Sequence, residues 1–519
     1  MGQSAALVRL ATIGPPVVVG LISFALVARG LQPGLAFWDT AELQVVAPLM
    51  GTAHPTGFPT YVLLGWLASV VLQPFGEPAF RMNLFSAISV AVAAGVTVDL
   101  VRVLTGSRWI GVVVGLGLTL TPQVWAIGTH AEAHSLHLAL LAILLRLLVG
   151  WEDRRRAPDD DARRAHADRW LVAATVVFGL AVGNHSLTLL LAPAVAAYVI
   201  AVEPGIIRRW RLVAGCLAAL SITLVVVYLE LPLRAGPFRA PLVYGTPDTW
   251  DGFRYIVLAE QFRGSVVDPF GNLDVKFQDL VARAGREFGA LWVLVPFGFL
   301  VTAIRRPRYA LLTGIALGLT VFFAASYDNA AIERYYLGPV LIAWTWLAML
   351  VAGAVAVLTR RRPAPAAGSV EAWLRPVAVG VIAAGVLLTP AVLDFSDRAR
   401  AANRSHETIA QRWLDSVVDT VEPNAAIVSW WSYSTPLWYG KHIDGRLPGV
   451  DIIDDRTRLD EALGSPADVV NRYLDEGRPV YVIRLDDWAP LEEEFVIEHL
   501  QMPMPDSLAR VLGRREAAS

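Results

Sequence analysis

Asp39 and Glu42 stand three positions apart in Phe37-Trp38-Asp39-Thr40-Ala41-Glu42, so a helix there sets both carboxylates on one face. A carboxylate at a boundary between water and lipid can take the proton of an attacking hydroxyl. The spacing has a plainer use: Asp39 as a helix N-cap with Glu42 completing a capping-box-like pair. Local sequence favours the cap, and a capping Asp39 would also be a fixed one. His130, His134 and His137 follow at helical spacing, with Glu132 among them. Zinc is conceivable there, but His-Glu-x-x-His is absent and no third ligand stands out, so hydrogen bonding to a phosphate or to sugar hydroxyls is at least an equal reading. Arg81, Arg234 and Arg334 are candidates for a phosphate clamp, because a guanidinium meets phosphate oxygens through paired donors. Arginines near span ends also snorkel, which is the competing reading for all three.

These groups are carried by an apolar chain. Of its 519 residues, 55% are hydrophobic and 17% charged, with a mean hydropathy of +0.49; soluble domains carry about 25% charged residues. Apolar stretches recur as far as residue 395, each near the length of about 20 residues that a bilayer span needs. The composition is that of a polytopic α-helical membrane protein. A net charge of −2 leaves no footprint for nucleic acid, and the lone Cys216 excludes an intrachain disulfide. Val8 to Ala28 is long, contains Pro15-Pro16 and lacks a small-x-small cleavage site, so it reads as a first span rather than a leader.

Arginine clusters mark the cytoplasmic loops: Arg102 with Arg108, Arg154–Arg156 with Arg163-Arg164, Arg208–Arg211, Arg305–Arg308 and Arg360–Arg362. The uncharged run Trp170 to Val202 has both ends inside, so it must be a hairpin turning at Gly183-Asn184-His185. Upstream, an inside Arg102 requires an even number of crossings. Phe58 to Phe75 is therefore expected to be a juxtamembrane or re-entrant helix in a large outer loop. Eleven crossings result, and the hydrophilic pieces 232–288 and 395–519 fall outside. Residues 1–394 thus form the membrane domain. Residues 395–519 read as a small α/β domain, with an amphipathic helix over Arg398–Val421, strands at Ala425–Trp430, Val450–Ile453 and Val480–Leu485, and a helix at Ala467–Glu476. No Gly-x-Gly-x-x-Gly follows a strand, so nothing supports a nucleotide site. A structural or acceptor-positioning cap is the simpler role.

With this topology the conspicuous polar residues gather on the outer side: Asp39, Glu42, His54, Arg81 and Asn83 in the first loop, then His130, Glu132, His134 and His137. Asn184 and His185 follow at the hairpin, and Arg234, Glu333, Arg334 and Tyr335 further along. Ionisable groups cost about 2.5–3.5 kcal/mol each at the centre of a membrane, so they usually line a site. One cavity in the outer leaflet would gather them.

Trp-Asp-Thr-Ala-Glu at 38–42, His-Pro-Thr-Gly-Phe-Pro-Thr-Tyr at 54–61 and Arg-Met-Asn-Leu-Phe-Ser at 81–86 resemble a family of integral-membrane GT-C glycosyltransferases. It includes the eukaryotic transmembrane protein O-mannosyltransferases and many bacterial members. Gly-Asn-His at 183–185, Leu-Pro-Leu-Arg-Ala at 231–235 and Glu-Arg-Tyr-Tyr at 333–336 extend the match, whereas Thr56 stands where members often have Pro. The resemblance implies an outer-face site in a bacterial-type plasma membrane, a polyprenyl-phosphate sugar donor, often of mannose, and inverting transfer to a protein, lipid or glycan hydroxyl. Asp39 would be the catalytic carboxylate, with His54, Arg81, Asn184 and His185 around donor or acceptor. No cofactor is specified, and a divalent metal stays open. Two other classes compete. A secondary transporter would place its site at the midplane between internal repeats, which are not evident, and a non-catalytic subunit of an envelope-assembly complex would not need the clustered Asp39, Glu42, His54 and Arg81.

Overall fold

Long apolar runs become helices because a bilayer leaves no other way to satisfy the backbone of an open chain. The computed structural model describes residues 2–157, 161–329, 331–360, 369–483 and 488–515. Among them, six helices are long and apolar enough to cross a membrane, and five further apolar helices are shorter. The chain begins with α1 (Gly2–Ala28), α2 (Trp38–Leu49), α3 (Pro59–Val71), α4 (Pro78–Thr105) and α5 (Arg108–Thr119). With 13 residues, α3 is about 20 Å long against a hydrocarbon core of about 30 Å. The helices at Ala133–Arg155, Asp161–Asn184, Ala192–Val202, Trp210–Tyr228, Val295–Arg305, Pro307–Ala324, Leu337–Thr359 and Val370–Leu387 complete the bundle.

Ion pairs collect the expected cytoplasmic ends at one end of this bundle. Arg155 Nε donates to Glu203 at 2.9 Å, Arg306 to Asp153 at 3.1 Å and Arg308 to Glu152 at 3.3 Å. Arg209 pairs with Asp168, and Arg102 and Arg146 share Asp99. Arg361 and Arg362 of the expected fifth cluster lie outside the described residues.

The C-terminal part is built on a five-stranded sheet in the order β2-β1-β3-β5-β4: β1 (Ala426–Val428), β2 (Asp451–Ile453), β3 (Val480–Val482), β4 (Phe495–His499) and β5 (Ala509–Arg514). The first three are parallel and the last two antiparallel. Positions 484 and 485 of the third expected strand lie outside the described residues. The single helix expected over Arg398–Val421 is instead two, Phe395–Ala402 and Ile409–Thr420. The break arises because Arg404 N donates to Gly30 O at 2.9 Å, tying the chain to the end of α1.

Packing runs across the expected boundary at 394/395. Leu35, Ala41, Val45 and Ala79 share one core with Trp413, Leu414, Tyr433 and Trp438. Phe37 sits edge-on to both Trp413 and Tyr433, with ring centroids 5.5 and 5.4 Å away. The sheet and its helices are therefore docked on the first loop. That loop is locked to the bundle by Asn83, which is fully buried. Its Oδ1 accepts from Gln44 Nε2 at 2.9 Å and from Ala131 N at 2.8 Å, while Nδ2 donates to Gln32 O at 2.8 Å and Gly34 O at 3.2 Å. Asn83→Leu strands these partners and is expected to cost about 3 kcal/mol, measured as a lowered midpoint of thermal unfolding in detergent.

Candidate active site

The site starts from a backbone oddity. Trp38 opens α2 at φ 60, in the left-handed region that bulky residues rarely adopt, and the N-cap Phe37 supplies no side-chain cap. The capping box is thus not formed. Asp39 instead turns to Arg334, whose Nη1 donates to Asp39 Oδ2 at 2.9 Å and lies 3.2 Å from Glu132 Oε2. Glu132 is 2% exposed and also caps the Ala133–Arg155 helix, accepting from His134 N at 3.2 Å and pairing with His134 Nδ1 at 2.8 Å. Burial opposes ionisation of Glu132, but Arg334 and His134 outweigh it and hold its pKa well below the usual carboxylate range.

Glu42, 1% exposed, serves the next loop. It accepts from His54 N at 3.0 Å and pairs with His54 Nδ1. Burial works against a charge on His54, yet Glu42 and then Asp39 carry its pKa up to about 9. The turn before α3 needs Gly57: it sits at φ 77, and a Cβ there would lie 2.9 Å from Ile256. Trp431, from the C-terminal part, stands edge-on to His54 at 5.6 Å. Nothing in the sequence beyond a Trp430-Trp431 pair pointed to it.

These elements enclose a cavity of about 360 Å³ whose polar wall includes Asp39, His54, Glu132, His134, His185, Arg334 and Tyr335. The rings of His134 and His185 lie 4.8 Å apart, and Tyr335 is edge-on to His185 at 5.4 Å. His185 Nδ1 accepts from Leu187 N at 3.1 Å, which leaves its proton on Nε2 as a donor. The opposite wall is apolar: Leu189, Leu190, Val257, Leu258, Phe262 and Val266. Leu189 and Leu258 are more than half exposed, so this wall opens outward along the side of the bundle. Charge-bearing donors over an apolar slot suit an anion attached to a hydrocarbon.

Several expected site residues have other partners. Arg81 donates to Gly76 O and Ser69 O at 2.6 and 3.1 Å, and Arg234 to Met50 O and Leu49 O at 2.8 and 3.0 Å. Both cap carbonyls at or just beyond helix C-termini and are not among the cavity's lining residues. Asn83 is the lock described above. Asn184 donates to Ala133 O at 3.0 Å from a fully buried position. Glu333 has a half-exposed side chain 4.0 Å from Arg283. His130 precedes the helix that carries His134 and His137, so the three form no single stripe; it is buried 4.0 Å from Glu132. Among the described residues, no group of three or more His, Cys, Asp or Glu side chains is placed to hold a metal ion.

Fold and cavity together define an integral-membrane helical protein whose architecture is similar to that of solved GT-C glycosyltransferases. Residues 39–204 match the family model described as the Protein O-mannosyl-transferase TMEM260 N-terminal domain. Two relatives carry the name protein O-mannosyl-transferase TMEM260. That of Mus musculus is 28% identical over 234 residues, covering 43% of this chain and 31% of the relative. That of Dictyostelium discoideum is 23% identical over 269 residues, covering 49% and 32%. The matched segments thus span about a third of those relatives. ArnT from Cupriavidus metallidurans, solved with undecaprenyl phosphate, superposes with a TM-score of 0.61 over 97% of this chain and 98% of its own, at 16% identity. The oligosaccharyltransferase AglB of Archaeoglobus fulgidus, solved with an inhibitory peptide and a dolichol-phosphate, gives 0.55 over 92% and 69%, at 14% identity.

Two measurements test the electrostatics. Because the His54 pKa lies above its free value of 6.5, the stability that its charge contributes is complete below about pH 6.5 and is lost as pH rises through about 9. Thermal midpoints should therefore fall over that window in the native protein and less in His54→Gln. Arg334→Met leaves Glu132 buried without its cation and should cost about 3 kcal/mol; adding Glu132→Gln should recover part of it in a double-mutant cycle.

Proposed function

We propose that this chain is an inverting glycosyltransferase that moves a sugar, with mannose the first candidate, from a polyprenyl phosphate to an acceptor hydroxyl at the outer face of the membrane. The observation that carries the reading is the single cavity in which Asp39 faces Arg334, His54 and His185 above an apolar, outward-opening wall. The resemblance to protein O-mannosyl-transferases supports the reaction class, and lipid phosphates bound to proteins of the same fold support the donor class.

In the transfer step the acceptor hydroxyl gives its proton to the Asp39 carboxylate while its oxygen bonds to the anomeric carbon. The bond from that carbon to the phosphate oxygen breaks on the opposite side, and its electron pair leaves with the polyprenyl phosphate. Charge then grows on the phosphate, where Arg334, protonated His54 and the Nε2–H of His185 are already in place. Donors fixed in advance stabilise such charge without reorganising, and losing one typically costs about 10²–10³ in rate. Arg334 orients Asp39 at 2.9 Å and spends only one of five guanidinium donors on it. The leaving group stays in lipid throughout, which places the reaction at the membrane boundary.

The test is transfer from radiolabelled polyprenyl-phosphomannose by the purified protein in nanodiscs supplied with an acceptor-containing lysate. Native protein should consume the donor, and Asp39→Asn should lower the rate by about 10²–10⁴ while still binding it. Equal consumption by both would move the base elsewhere, and no consumption with any polyprenyl-phosphate sugar would sink the reading.

A further inference from the structure

At the end of the bundle where the ion pairs collect, two groups of helices part. The Ala192–Val202 helix packs on Pro307–Ala324, while Asp161–Asn184 packs on Ala133–Arg155 and on Trp210–Tyr228. Between them is a cleft of about 410 Å³. Leu144 and Leu148 form its floor, Leu171 and Phe178 one side, and Val195 and Val199 the other. Thr175 and Cys216 are the two lining residues with a polar side-chain atom, and the Thr175 hydroxyl donates to Leu171 O at 3.0 Å. Ile200, Ile207 and Leu217, also in the lining, are each more than half exposed, so the cleft opens sideways to hydrocarbon.

Polar contacts hold it open. Tyr198 OH donates to Glu152 Oε2 at 2.8 Å and fixes the Ala192–Val202 helix to the floor. At the mouth, Arg209 Nη1 joins Glu203 at 3.2 Å to Asp168 at 3.0 Å, which ties the linker after that helix across to Asp161–Asn184. Arg155 takes the remaining charge of Glu203. Arg208 and Arg211 stand on either side of this bridge and differ from it. Both are exposed, and they adjoin in sequence the lining residues Ile207 and Leu212. Among the described residues neither has a carboxylate partner, and Arg211 has only the ring of Trp210 at 5.5 Å. Trp210 is itself 66% exposed, as an indole anchored at a membrane boundary is.

The general excess of arginine on one side of a membrane explains two free cations anywhere in this linker. It does not explain why they sit at the mouth of an apolar cleft that is already formed. Basic pockets between membrane helices take anionic lipid head groups. A free phosphate has no use for the cleft, and a zwitterionic lipid brings no net charge to the two arginines.

We propose that the cleft holds one anionic phospholipid from the leaflet at the arginine-rich end, with its phosphate between Arg208 and Arg211 and one acyl chain lying against Leu144 and Leu148. The inner end of the cleft reaches the support of the functional site. Leu144, Leu148 and Val195 also line a small apolar cavity together with His137, Leu187 and Tyr335, and the last two of these line the site cavity. The acyl chain thus braces from behind the wall on which His185 and Tyr335 are mounted. The binding itself does not depend on the transfer reading.

The test uses the full chain in nanodiscs of phosphatidylcholine and phosphatidylglycerol, with one lipid at a time carrying a diazirine in its acyl chain. The phosphatidylglycerol label should fall within residues 192–220 and be displaced by unlabelled phosphatidylglycerol but not by phosphatidylcholine. Each arginine at a lipid surface contributes about fivefold, so Arg208→Gln with Arg211→Gln should lower this labelling at least tenfold. Neither side chain is buried or paired with a carboxylate, so the double variant should unfold at the native temperature when no lipid is added. Ala196→Phe, which fills the cleft from an exposed position, should abolish the labelling with both arginines in place. In detergent, added phosphatidylglycerol should raise the thermal midpoint of the native protein by several degrees and leave that of the double variant unmoved. Equal labelling by the two lipids is ordinary solvation by the bilayer and would overturn the proposal. Displacement of the label by polyprenyl phosphate at lower concentration than by phosphatidylglycerol would also overturn it, by making the cleft part of the donor's path.

Discussion

One guanidinium holds the functional end of this molecule together. Arg334 Nη1 reaches Asp39 and Glu132, two carboxylates that α2 and the start of the Ala133–Arg155 helix deliver from different parts of the chain. Glu132 is almost wholly buried, and a buried carboxylate without a cation costs several kcal/mol. The short helical turn Ile332–Tyr336 therefore cannot leave without exposing that cost, and Asp39 cannot take up a cap. Glu132 adds a second constraint by accepting from the first turn of its own helix. Charge pairing, helix start and the aim of the proposed base thus depend on one contact.

The same economy explains what sequence reading reached. Apolar length and arginine spacing located the helices because burial of backbone in lipid permits little else. The ion pairs among Arg155, Arg306, Arg308 and their partners show why clustered arginines marked a common end. Asp39, His54, Glu132, His134, His185, Arg334 and Tyr335 were legible as a group because polar side chains among apolar helices need a shared reason to be there. Arg81, Arg234 and Asn83 carry the same signature but are bonded to backbone. Helix ends and loop backbone within a bundle also need donors, and an arginine serving Leu49 and Met50 carbonyls has the same sequence signature as one serving phosphate.

Other features were not legible because they depend on contacts far apart in sequence. The break between Ala402 and Ile409 comes from a bond to Gly30, and Trp431 reaches His54 only after the sheet docks. The paired β4 and β5 were likewise missed: Phe495–His499 alternates weakly, and its partner contains Gly513. The shared core of Phe37, Trp413 and Tyr433 makes the C-terminal sheet part of the site's support.

That docking sets two cavities on either side of the Glu42–His54 pair, the site cavity and a polar one of about 220 Å³ lined by Glu42. The first is walled by membrane helices and the 257–266 loop, so its apolar side inherits the bilayer's character. The second is roofed by the carboxyl end of a parallel sheet, where strands release charged loops such as Asp454-Asp455-Arg456. Between them stands Glu42–His54, an ion pair rather than a hydrocarbon wall. A partition of that kind keeps lipid and water apart and still offers hydrogen-bonding groups to both sides.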